Sequence, residues 1–210
     1  MNKVIYRELV KEDYKEVKNL ICEAFGFSNF IKDKNILDIV THFYLQECVS
    51  DSSFSKIAEM DNKVIGIILG KEKSDERTLH ELNNKSLVSE KVLETIMVDE
   101  ENRMMIKEFS KIQDTYKEII KGKERDFDGC IQLFIVAKEA RGLGIGKELL
   151  KYLFEYMKSL KVNSLYLYTD TRCNYGFYDS QNFERLVEKE LRFDSINEKI
   201  NVFLYRYNFN

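Results

Sequence analysis

The chain has 210 residues, and its 33 Lys and Arg against 36 Asp and Glu leave a formal net charge of −3. Those charges are dispersed, so there is no basic footprint for nucleic acid, and no apolar run approaches the roughly 18 residues a membrane span needs. Four scattered cysteines (Cys22, Cys48, Cys130, Cys173) without a Cys-x-x-Cys pair, and two histidines, offer no metal cluster; four reduced thiols in a metal-free cytoplasmic protein are expected.

Taken in order, Val4 to Leu9 reads as a first strand, behind a start too charged for a signal peptide. Asp13, with Glu16 three residues on, has the spacing of a capping box. Tyr14, Val17, Leu20, Ile21, Ala24 and Phe25 then make one helical face, stopped by Gly26. Ile36, Ile39, Val40, Phe43 and Tyr44 predict a second helix. Phe54–Met60 and Val64–Leu69, joined at Asp61-Asn62, predict a hairpin. Glu72 to Asp128 is too long for a structureless loop in a compact domain, and its apolar positions from Val88 to Ile120 predict two or three helices.

Ile131-Gln132-Leu133-Phe134-Ile135-Val136 is almost continuously apolar and reads as a buried strand. Arg141-Gly142-Leu143-Gly144-Ile145-Gly146 follows. Ile145, Leu149, Leu150, Leu153, Phe154, Met157 and Leu160 then recur at helical spacing through Lys161. A strand, a glycine-rich turn and a helix start make an anion site. The first helical turn leaves N–H groups unpaired at the positive end of the dipole, and glycines let backbone approach an oxyanion. Arg141 adds a permanent cation with forked donors. The expected ligand carries phosphate, as a pyrophosphate.

Spacing separates three readings. A P-loop needs Ser or Thr after Gly-Lys, and Gly146-Lys147 is followed by Glu148. A dinucleotide fingerprint needs Gly-x-Gly-x-x-Gly directly after the strand. Here the glycines alternate, Ala137 to Arg141 intervene, and the residues after Asp170 are too few for the rest of such a fold. The third reading is Arg-x-x-Gly-x-Gly, which Arg141, Gly144 and Gly146 satisfy. Downstream, after the strand Leu165–Asp170, stand Cys173-Asn174-Tyr175-Gly176-Phe177-Tyr178 and then Asn182-Phe183. Phe-Tyr, three residues and Gly-Phe is the comparable pattern, with Asn182 in a glycine's place where a left-handed residue is needed. Glu184–Phe193 and Lys199–Tyr207 close the chain as an antiparallel pair.

On these two motifs the chain resembles the GNAT superfamily of acyl-CoA-dependent N-acyltransferases, specifically from Ile131 to Phe183. The resemblance implies one α/β (α+β) domain over 1–210. Its GNAT fold has a central mixed, mostly antiparallel sheet flanked by helices, with residues 72–128 as a helical insertion between the third and fourth strands. It implies acetyl-CoA as cofactor, and a small-molecule or peptide amine as acceptor. Gly142, Leu143, Gly144, Ile145 and Gly146 would hold the pyrophosphate, with Arg141 and Lys147 near it. Phe134, Ile135 and Val136 would pair with the pantetheine arm, the N–H of Val136 or its neighbour serving the oxyanion. Asn174 would hydrogen-bond the same arm, although Thr171 stands where the family's asparagine often lies.

Tyr178 is the expected general acid, with Phe177 as core. Cys130 stands where many relatives carry a strand glutamate, and Asp128, Asp170 and His80 are alternatives for the base. Asp128 and Asp170 read more simply as solvated strand-end carboxylates, and none of these is assigned as the base. Cys173 beside the second motif lacks a histidine nearby in sequence to activate it. The insertion reads as an added helical layer or a homodimer surface, or more sharply as a cap on the acceptor side. The alternative function is a catalytically silent acyl-CoA-binding module that acts through protein interaction.

Overall fold

The hairpin expected at Asp61-Asn62 turns on two left-handed residues, φ 53° and 60°, the backbone that a two-residue turn of this hand requires. The computed structural model describes residues 3–76, 79, 100–193 and 197–209. In chain order these hold β1 (Ile5–Arg7), α1 (Tyr14–Phe25), α2 (Phe27–Phe30), α3 (Lys34–Ser50), β2 (Phe54–Met60), β3 (Lys63–Glu72) and α4 (Glu100–Ile120). There follow β4 (Gly129–Val136), α5 (Ile145–Ser159), β5 (Ser164–Asp170), α6 (Gly176–Ser180), β6 (Glu184–Phe193) and β7 (Glu198–Asn208). Among the described residues no helix is long and apolar enough to cross a membrane. Two compact units form: Met1–Lys85 with Asp128–Val162, and Ser86–Phe127 with Asn163–Asn210.

In the first unit the strand order is β1-β2-β3-β4, each pair antiparallel. Helix α5 lies close on this sheet because glycines clear its path. A Cβ at Gly70 would stand 2.5 Å from Leu153, and one at Gly129 would stand 3.2 Å from Met157. Leu149, Leu153 and Met157 fill that space and are fully buried. Helix α1 buries Tyr14, Val17, Leu20 and Ile21 and ends at left-handed Gly26, as its periodicity predicts.

One expectation is corrected here, while the helix predicted around Ile36–Tyr44 is α3. Asp13 does not cap α1. Its carboxylate instead accepts Val10 N–H and takes both Arg7 guanidinium nitrogens at 2.7 Å, while Glu16 accepts Val64 N–H. An arginine fork outcompetes a cap because a bidentate pair of hydrogen bonds between two ions replaces a single one from a neutral N–H. In α3 the buried face runs through Thr41, Leu45, Cys48 and Val49, while Ile36, Ile39, Val40, Phe43 and Tyr44 are half-exposed. Asp33 caps that helix, accepting from the N–H groups of Asn35 and Ile36.

The second unit has strand order β5-β7-β6, again antiparallel. Alternation along β7 divides its packing. Ile200, Val202 and Leu204 join Ile119, Ile120, Phe127 and Phe193 in one core, so the C-terminal end of α4 is structural here. Tyr116 of α4 stacks on Tyr168 of β5, centroids 4.2 Å apart. The intervening residues Phe203 and Tyr205 instead pack with Tyr175 and Tyr178. Of the 72–128 segment, the apolar positions Val88 to Ile96 lie outside the described residues.

Candidate active site

Strand β4 begins two residues earlier than its apolar run and is not uniformly buried. Gln132, Phe134 and Val136 are half-exposed between buried Ile131, Leu133 and Ile135. The register explains part of this. Leu133 faces Leu69 while Ile131 faces Gly70, so Gln132 is the extra residue of a β-bulge. Beyond Val136 the chain makes one 3-10 turn, Lys138–Ala140, pinned by buried Ala140. Arg141, Gly142, Leu143 and Gly144 are then exposed.

Gly142 (φ 82°) and Gly144 (φ 79°) hold left-handed backbone, and Gly144 is the N-cap of α5. A Cβ at either would meet nothing within 4 Å. Glycine is required there for conformation rather than for packing, and the surface above the turn is clear. Ile145, 2% exposed, anchors the helix start from below. The first turn of this 15-residue helix follows directly on the exposed glycines, with Arg141 before it and Lys147 within it. A small cleft beside this turn is lined by Leu20, Glu23 and Ala24 of α1 and by Ile135 to Lys138 and Arg141. These residues fit a phosphate-bearing ligand with an extended arm: clear backbone donors, a left-handed glycine cap and two cationic side chains.

The second motif belongs to the other unit. Asn182 is left-handed at φ 62°, as its place in the motif requires. It turns the chain so that Phe183 N–H returns to the Tyr178 carbonyl at 3.1 Å. Tyr178 is buried, its ring against Phe183, Tyr205 and Phe177. Burial, then the neighbouring Cys173 and Tyr205, push its phenol well above the ordinary 10.0. Phe177 is half-exposed, which corrects its expected place in the core, and Asn174 is exposed. Burial, and then Asp170, raise the Cys173 thiol above its ordinary 9.0, which disfavours a nucleophilic thiolate.

Asp170 is not the solvated carboxylate expected from its strand-end position. It is buried, paired with Arg172 at 2.9 Å, and accepts the Arg172 N–H at 2.8 Å. The local signal was Asp-x-Arg at a strand end, since an aspartate readily accepts the backbone two residues on. Cys130 is buried and its sulfur accepts from Gln132 Nε2 at 3.4 Å. Asp128 is half-buried, and His80 lies outside the described residues.

A strand that ends in a left-handed glycine turn and opens a helix N-terminus forms the candidate anion site of this α/β protein. The chain belongs to the acetyltransferase (GNAT) family, whose profile matches residues 14–183. Among solved structures it resembles a ribosomal-protein-alanine N-acetyltransferase from Brucella melitensis, with TM-score 0.56 and 16% identity over 98% of this chain and 99% of that one. An acetyltransferase of the GNAT family from Streptococcus pneumoniae gives 0.53 at 14% identity over 99% and 100%. An N-acetyltransferase from Staphylococcus aureus gives 0.55 at 12% identity over 98% of each. At these identities the structures establish the fold alone. No curated protein gives a match of significance.

Proposed function

We propose that this protein is an N-acetyltransferase, moving an acetyl group from acetyl-CoA to a primary amine by direct attack in a ternary complex. The observation that carries this reading is the Gly142–Gly146 turn on α5, within a chain of the GNAT family. Bound acetyl-CoA supplies the activated thioester. The N–H groups from Gly142 to Gly146, including those of Leu143 and Ile145, hold its diphosphate, with Arg141 and Lys147 adding charge. The backbone of Phe134, Ile135 and Val136 pairs with the amide arm as an added strand would. Val136 N–H donates to the developing oxyanion; losing such a donor typically costs about 3 kcal/mol in the barrier. Asn174 donates to the same arm.

Tyr178 is the general acid. A buried phenol held above its ordinary pKa keeps its proton across neutral pH and so is no base; the same shift makes it a weaker donor toward a departing thiolate. The test is release of free thiol from acetyl-CoA across polyamines, aminoglycosides and peptides, beside calorimetry of acetyl-CoA binding. Binding with thiol release that depends on amine is expected. Binding without release under any amine would instead mark a silent acyl-CoA-binding module, and no binding would end both readings.

A further inference from the structure

We infer that the ion pair of Asp170 and Arg172 positions Tyr178 for proton transfer, an assignment that rests on the acetyl transfer proposed above. Helix α6 has five residues, too few to hold itself, and its N-cap residue Tyr175 makes no side-chain cap. Its placement must come from outside. Contacts of Tyr178 with Phe183 and Tyr205 fix its body, and the turn out of β5 fixes its start.

That turn is a linked run of hydrogen bonds from Asp170 to Tyr178. Asp170 Oδ1 accepts the Arg172 N–H at 2.8 Å, and the Asp170 backbone carbonyl accepts the Cys173 N–H at 3.0 Å. The Tyr175 N–H then reaches the Cys173 carbonyl at 2.9 Å, and the Tyr178 N–H reaches the Tyr175 carbonyl at 3.0 Å. Thr171 is tied to β7. Its N–H donates to the Asn201 carbonyl at 3.0 Å, and its Oγ1 accepts the Asn201 N–H at 3.2 Å.

The guanidinium closes this turn in one direction. Arg172 Nε donates to Asp170 Oδ1 at 3.2 Å and Nη2 to Oδ2 at 2.9 Å, with the cation 5.5 Å over the Phe193 ring. Folding alone asks for less. An asparagine would accept the same N–H, and apolar side chains often replace a buried ion pair without loss. What the fork adds is direction, because two parallel hydrogen bonds fix the plane of the carboxylate. Tyr178 needs that. As the amine nitrogen bonds the thioester carbon and the C–S bond breaks, the sulfur takes the phenol's proton. The surplus proton on nitrogen leaves to solvent, which returns one to the phenolate. A phenol above its ordinary pKa is a weak donor, so this step depends on a hydroxyl already in place.

The experiment uses the full chain with the best acceptor of the amine panel, in a double-mutant cycle with Tyr178→Phe. Arg172→Gln should lower kcat about tenfold, part of the roughly hundredfold that an ångström of misplacement costs, with amine KM and acetyl-CoA affinity within about twofold. Arg172→Lys keeps a cation on Asp170 without the fork and should lower kcat about threefold. It carries the test if the Gln variant does not fold, which melting curves establish. Placed on Tyr178→Phe, either substitution should change kcat by less than about twofold, since nothing is left to position. A merely structural pair would lower kcat by the same factor in both backgrounds, and that result overturns the assignment. Unchanged kcat in folded Arg172 variants overturns it too. Full turnover by Tyr178→Phe would remove the general acid and this assignment with it. Absence of thiol release from wild type would overturn both together with the acetyl-transfer reading.

Discussion

Tyr205 donates its hydroxyl to Oδ1 of Asp179 at 2.7 Å, one residue beyond Tyr178. Its ring packs on Tyr178 with centroids 5.7 Å apart, and its oxygen also accepts from Arg185 Nε at 3.0 Å. One buried side chain thus supports the α6 turn from below and holds its edge. Tyr205→Phe keeps the ring and removes both hydrogen bonds, leaving Arg185 on Asp179 at 3.3 Å. The expected result is a stability loss of about 1 kcal/mol by urea denaturation, with a several-fold lower kcat. Unchanged turnover in a measurably destabilised variant would separate the support of α6 from the chemistry.

Tyr178→Phe tests the proposed general acid directly. Removing proton donation to the leaving sulfur should lower kcat by about 100-fold or more, while acetyl-CoA affinity measured by calorimetry stays put. Because burial lifts this phenol above 10.0, wild-type activity should show no loss from Tyr178 ionisation below that pH. Full turnover in the Phe variant would remove the role.

Local rules read the hairpin at Asp61-Asn62, the stop at Gly26 and the left-handed Asn182 directly, because each is decided by one or two residues and their backbone preference. The glycine turn between β4 and α5 was legible for the same reason. Long-range partners were not. Asp13 has helix-cap spacing, yet Arg7 takes it, and Asp170 looks solvated until Arg172 folds onto it. The bulge at Gln132 was invisible because an apolar run carries no register, which is set only when β3 and β4 pair. Tyr178 and Phe177 differ in burial through tertiary packing alone, so their composition could not rank them.

The glycines of the first unit should separate conformation from packing. Gly144→Ala forces a Cβ onto φ 79° backbone, costing about 1–2 kcal/mol with nothing nearby to clash. It should also weaken acetyl-CoA binding by disturbing the N-cap. Gly70→Ala has ordinary backbone but sets a Cβ 2.5 Å from Leu153, so overpacking of about 1–3 kcal/mol is expected, with acetyl-CoA affinity per folded molecule close to wild type. Paired denaturation and calorimetry check both. Equal losses of affinity in the two variants would show that the Gly144 effect is merely lost stability.

Tyr116→Ala probes how firmly α4 belongs to the second unit. The ring stacks on Tyr168 at 4.2 Å, and burial holds its phenol far above 10.0. Deleting this partly buried ring should cost about 3 kcal/mol, the low end for a large aromatic, and should speed amide exchange in β5 and β7 as well as α4. Exchange confined to α4 would show that the helix rests on the sheet without stabilising it.

Alkaline pH should destabilise the fold, and the sign follows from protonation. Burial raises the Cys48 thiol from 9.0 to about 12, and burial first raises Tyr14 and Tyr205 from 10.0 to about 12. Tyr116 and Tyr178 shift in the same direction. Below pH 9 these groups are protonated in both states and their contribution is fully present. Above it the unfolded chain releases protons first, so the unfolded state binds fewer, and stability falls as pH climbs. Each group costs about 1.4 kcal/mol per pH unit between its unfolded and folded values, less where solvent screens it. Urea midpoints should therefore hold steady from pH 7 to 8.5 and drop from pH 9 upward, steepening beyond 10 as the tyrosines join. Cys48→Ala should reduce the earliest part of that fall, to which Cys22 and Cys173 also contribute, and leave the steep part. A midpoint flat through pH 10.5 would contradict burial of these side chains in solution.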